Sequence, residues 1–90
     1  MTPSSCQQPI VLRLLFFSVL RDITGSAELR WELPAQSTLG DLQSALEQRW
    51  PQLVAWRPTM LMAVNCRYEK SGALLLDGAE VAFMPPVQGG

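Results

Sequence analysis

The sequence predicts an α+β domain in which one sheet carries one main helix across a single face. Three observations lead there. Short runs of alternating or β-branched and aromatic residues read as strands. One segment, Thr38 to Arg49, repeats its apolar residues at three- and four-residue steps, as a surface helix does. Turn pairs such as Ser71-Gly72 and Asp77-Gly78 punctuate the second half. A chain of 90 residues, 48% hydrophobic, fits one such domain, because two halves would each be too small to hold a core unaided.

Residues 1–9 (MTPSSCQQP) are polar and aperiodic and predict a mobile extension ahead of a domain spanning 10–84. From Ile10 to Phe17 the run IVLRLLFF predicts a strand. Parity puts Ile10, Leu12, Leu14 and Phe16 on one side, the uncharged set and so the core side, and Val11, Arg13, Leu15 and Phe17 on the other. Ser18 to Thr24 predicts a short helix or helical turn, closed by Gly25 in the left-handed position. Ala27 to Leu33 alternates Ala, Leu, Trp and Leu with Glu, Arg and Glu, which predicts a half-buried strand stopping at Pro34. In the main helix Thr38 is placed to cap and Asp41 falls at the third position, where a carboxylate favours the positive end. Its stripe is Leu39, Leu42, Ala45, Leu46 and Trp50, with Gln43, Glu47 and Gln48 pointing away. Pro51 to Pro58 predicts a loop. Met60 to Asn65 and Glu80 to Met84 predict strands, and Arg67 to Lys70 a short edge strand. In the last strand Val81 and Phe83 face one way, Ala82 and Met84 the other. With one helix covering one face, Val11, Leu15, Phe17, Ala82 and Met84 lie on the uncovered one, and such an apolar area on a small domain points to a partner.

Composition excludes several functions. Seven basic and eight acidic residues are interspersed, so no stripe exists to neutralise a row of phosphates, and no nucleic-acid partner is expected. The chain has no histidine, the commonest general base near neutral pH and a frequent metal ligand. Cys6 and Cys66 lack the close spacing of metal or redox pairs, so no metal site is expected and two free thiols fit a cytoplasmic protein. The apolar run Ile10 to Leu20 is broken by Arg13 and far short of the ~20 residues that span a bilayer, which predicts no membrane association. No basic segment precedes it and no small-residue cleavage site follows, so a secretory leader is not expected.

The terminus is the least ordinary part. Two glycines in the last two positions arise by chance in about 0.5% of chains at ~7% glycine, so the pair is singled out. Pro85-Pro86 stiffens the exit from the last strand, and the tail 85–90 projects by up to ~19 Å at ~3.1 Å per residue. With Gly89 and Gly90 at its tip, lacking side chains, such a tail can enter a narrow channel, and the functional group there is the α-carboxylate of Gly90. An ionised carboxylate resists nucleophilic attack and needs activation, for example as an acyl-adenylate. The chain has no G-x-x-x-x-G-K-[ST] loop to hold ATP, so the activating enzyme is expected to be another protein.

The stretch Asp77-Gly78-Ala79-Glu80-Val81-Ala82-Phe83-Met84-Pro85-Pro86-Val87-Gln88-Gly89-Gly90, with Leu14-Leu15-Phe16-Phe17 and Ala63-Val64-Asn65, resembles the small subunit of molybdopterin synthase. The resemblance covers about 10–90 and implies a ubiquitin-like β-grasp fold and a sulfur carrier that is no enzyme on its own. It implies that Gly90 is adenylated by an adenylyltransferase similar to ubiquitin-activating enzymes, which uses the ATP, while this chain binds no cofactor. Gly90 is then converted to a thiocarboxylate that donates sulfur to a pterin precursor in the large subunit, within a heterotetramer. Pro85, Pro86, Val87 and Gly89 are expected to serve threading of the tail, and Phe17, Leu15, Met84 and Ala82 to serve partner binding. Met84 stands where the family commonly has an aromatic, and Ala79 where it usually has an acid. Two rivals are a carrier for thiamine or cysteine synthesis, disfavoured by Pro-Pro-Val, and a ubiquitin-like interaction module with an inert tail.

Overall fold

The structure, a computed structural model, describes residues 8–86. Strand β1 (Ile10–Phe16) buries Ile10, Leu12, Leu14 and Phe16, the side that parity selects. The chain then turns at Ser18, which sits at φ 58°, into helix α1 (Val19–Thr24), and Gly25 closes that helix at φ 78° with its N–H on Arg21 O. Strand β2 (Glu28–Leu33) runs back antiparallel to β1.

Helix α2 (Leu39–Arg49) begins in a capping box. Thr38 Oγ1 accepts from Asp41 N at 3.2 Å, and the Asp41 carboxylate accepts from Thr38 N at 2.9 Å. Leu39, Leu42 and Leu46 are buried, and Ala45 and Trp50 pack at the rim of the core. The wheel directs Gln43 and Glu47 away from the core, and the structure corrects both. Gln43 is only 5% exposed, and Glu47 is half-buried. The reason is the segment that follows. Pro51–Trp56 is a 3-10 helix, not the loop that the prolines predict; Pro51 occupies its first turn, where a missing N–H costs nothing, and Leu53 anchors it in the core. Arg57 then binds back to α2, its Nε donating to Glu47 Oε2 at 2.8 Å and its Nη2 to Ser44 Oγ at 3.3 Å.

Strands β3 (Leu61–Val64) and β4 (Arg67–Tyr68) form a hairpin through Asn65 and Cys66, both at positive φ, the pattern of a type I′ turn. Both strands are shorter than the sequence expectation. Asn65 ties the hairpin to β5 (Glu80–Met84): its N–H donates to Glu80 O at 2.8 Å and its Oδ1 accepts from Glu80 N at 2.9 Å. Before β5, Asp77 Oδ1 accepts from Val11 N at 2.7 Å and Gly78, at φ 86°, donates to Val11 O. The sheet order is β2-β1-β5-β3-β4, with β1 and β5 parallel and the other pairs antiparallel. Helix α2 covers the inner face, where Phe16 stacks on Phe83 at 5.4 Å and meets Trp50 edge-on at 6.3 Å.

Candidate functional site

The outer face has two halves. Toward the start of β1, Arg13 Nε donates to Glu28 Oε2 at 2.6 Å and its Nη1 lies 3.4 Å from Glu80. Glu28 and, secondarily, Glu80 raise the guanidinium's pKa above its ordinary value. Val11, expected in the apolar area, lies on this face but at the charged end, where Arg13 stands between it and Leu15.

Toward the ends of β1 and β5 the face is apolar. Register sets Leu15 beside Ala82, Ala82 beside Ala63, and Leu61 beside Met84, so all five project from one side of the sheet. Leu15, Ala82 and Met84 are half-buried, and Phe17, just beyond β1, is 46% exposed. Tyr68, opposite Ala63 on β4, is 71% exposed and extends this strip. Leu61, Ala63 and Tyr68 are absent from the apolar set that the sequence predicts for this face. Alternation within Met60 to Asn65 assigns a face to Leu61 and Ala63, yet only the pairing of β3 with β5 brings them to this strip.

The root of the tail lies at the same end, because β1 and β5 run parallel. Phe17 N donates to Phe83 O at 3.1 Å, so the exposed aromatic stands beside the last residues of β5. Pro85 and Pro86 follow and are half-buried. Val87, Gly89 and Gly90 lie outside the described residues, as do residues 1–7 of the expected extension.

Other singled-out residues have structural roles. Trp31 and Trp50 are half-buried with ring centroids 5.9 Å apart, and Arg49 lies 5.3 Å over the Trp50 ring. Trp56, at the end of the 3-10 helix, packs against the core. Cys66 is an exposed free thiol at φ 71°. Among the described residues no three His, Cys, Asp or Glu side chains converge to hold a metal, and no helix is long and apolar enough to cross a membrane. A concavity of about 660 Å³ between the start of α2 and the Lys70–Gly72 turn shares no residue with the apolar face.

Residues 14–90 match the ThiS family. The chain belongs to that family. Its relatives include the molybdopterin synthase sulfur carrier subunit of Escherichia coli K12, 34% identical over 89% of this chain and 100% of that protein. Among solved structures, SAMP1 from Haloferax volcanii superposes with a TM-score of 0.77 at 26% identity, over 89% of this chain and 99% of the other. Ubiquitin from Caldiarchaeum subterraneum superposes with a TM-score of 0.63 at 15% identity, over 92% of this chain and all of the other. The fold expected from the resemblance is therefore correct: this ThiS-family chain is a ubiquitin-like β-grasp, a mixed five-stranded sheet crossed by α2.

Proposed function

We propose that this ThiS-family chain is the sulfur carrier subunit of a molybdopterin synthase and that Gly90 carries the sulfur. The observation that carries the reading is the exposed Phe17 beside Phe83, which sets an apolar docking face at the root of the Gly-Gly tail. A partner that seats on Leu15, Phe17, Ala82 and Met84 holds the tail at a defined start, and Pro85, Pro86 and Val87 limit the directions it can take. Gly89 then adds no side chain where the tail threads.

The chemistry requires a partner at each step. The Gly90 carboxylate attacks the α-phosphate of ATP in an adenylyltransferase, pyrophosphate leaves, and an acyl-adenylate forms. A sulfide-level nucleophile, hydrosulfide handed over by a sulfur donor, attacks the carbonyl carbon, the bond to AMP breaks with its electron pair leaving on AMP, a proton is lost, and a thiocarboxylate remains. That group donates sulfur to a pterin precursor in the large subunit, within a heterotetramer. The chain acts in the cytoplasm, binds no cofactor of its own, and is a substrate and subunit rather than an enzyme. It pairs with neither nucleic acid nor membrane. The relatives named for molybdopterin synthase support this reading over a carrier for thiamine or cysteine synthesis.

Intact-mass measurement of the protein isolated with its sulfur-transfer partner tests the proposal. The expected result is a mass increase equal to sulfur replacing oxygen, located at Gly90. Deleting Gly90 should leave partner binding and abolish transfer; a deleted form that still binds and still acts would make the chain an interaction module and overturn the proposal.

A further inference from the structure

Among the described residues, β2 forms one edge of the sheet. One hydrogen bond decides which of its backbone groups face that edge. Phe16 N donates to Ala27 O at 2.9 Å, continuing the register in which Ile10 faces Leu33 and Leu15 faces Glu28. Hydrogen-bonded and non-hydrogen-bonded pairs alternate along an antiparallel ladder, so Ala27, Leu29, Trp31 and Leu33 turn their N–H and C=O toward β1. Glu28, Arg30 and Glu32 turn theirs outward. The other side of β1 agrees, since Arg13 N and Phe17 N bond to Ala79 O and Phe83 O.

We propose that β2 pairs antiparallel with β2 of a second copy of this chain, about a two-fold axis at Trp31. Charge selects that register. A pairing centred on Glu28, Arg30 or Glu32 sets a charge against its own copy, which destabilises a ladder. Centred on Leu29, it sets Glu28 against Arg30 and competes with the 2.6 Å contact of Glu28 to Arg13. Centred on Leu33, it sets Glu32 against Pro34, which has no N–H to donate, at the pair next to the axis, whereas centred on Trp31 the same proline meets only Glu28 at the end of the ladder. Centred on Trp31, it sets Arg30 against Glu32 twice, and among the described residues neither takes part in another ion pair. The same register makes the two Trp31 residues a non-hydrogen-bonded pair, the closer kind, on the helix-covered side where Trp31 is half-buried. Opposed aromatics of this sort stabilise a sheet. The contact is self-complementary and closes as a dimer. It uses none of Leu15, Phe17, Ala82 or Met84, so both copies keep the apolar face open.

Sedimentation equilibrium of the full chain at low salt tests the pairing. The wild type should dimerise with a Kd in the range of ~1 μM to 1 mM. Arg30→Glu or Glu32→Arg alone should weaken association at least about tenfold, because two opposed pairs turn repulsive at once. The double variant R30E/E32R should restore it, with far-UV circular dichroism like wild type. A wild type that stays monomeric throughout that range overturns the proposal, including the case in which the edge takes a strand only from a different protein. So does a dimer whose Kd the single reversals leave unchanged, which would place the contact on another face, and so does a folded double variant that fails to recover.

Discussion

The two faces of this sheet are built from alternate residues of the same strands and do different work. On the inner face Leu14, Phe16, Val81 and Phe83 are fully buried beneath α2, and each contributes to stability through excluded water and close packing. On the outer face their immediate neighbours Leu15, Phe17, Ala82 and Met84 are also apolar, yet among the described residues none of the four is buried. What separates a core residue from a residue of the proposed docking face is therefore one step along the strand. The inner set should govern folding with little specific effect on recognition, and the outer set the reverse.

The strongest way to break that division is a large-to-small change inside. Phe83→Ala should cost about 3 to 5 kcal/mol of stability in urea unfolding, since the ring stacks on Phe16 and is 1% exposed. A loss below about 1 kcal/mol would show that the inner face is not where stability resides. Beyond the sheet, Gly89→Val should leave unfolding within ~0.5 kcal/mol of wild type. Formation of thiocarboxylate should fall by about 100-fold, because a β-branched side chain restricts and thickens the tail where small misplacements are costly. Normal sulfuration of that variant would refute threading while leaving Gly90 as a possible carrier.

Phe17→Ala sharpens the outer side of the comparison. Affinity for the large subunit, measured by calorimetry, should drop by roughly 1 to 3 kcal/mol, with a melting temperature like wild type. Unchanged affinity, or a chain that no longer folds, would place Phe17 wrongly. The smallest expected effect comes from a residue on neither face. Thr38→Ala removes the side-chain acceptor of Asp41 N and should cost ~1 kcal/mol of stability with no change in partner affinity.

Features that depend on local backbone geometry were legible in the sequence. Alternation from Ile10 to Phe16 and from Glu80 to Met84 decides which side chains share a side, because successive residues of a strand point in opposite directions whatever lies around them. The start of α2 at Thr38 and the left-handed Gly25 are likewise set within a few residues. The Gly-Gly and Pro-Pro pairs, on which the proposed tail chemistry rests, are read from the sequence alone. Tertiary structure decided what each side then meets. Gln43 sits on the polar side of its helix by periodicity, and it is buried because the 3-10 helix and Arg57 fold back along α2. Tyr68, Leu61 and Ala63 join the apolar strip because β3 pairs with β5 in one register, a contact between segments some twenty residues apart. Phe17 stands at the root of the tail because β1 and β5, the two ends of the domain, run parallel as neighbours. Direction of a side chain is a local property of the backbone, whereas its surroundings depend on strand pairing and packing between distant segments, so the sequence determined the faces and the fold determined what each one touches.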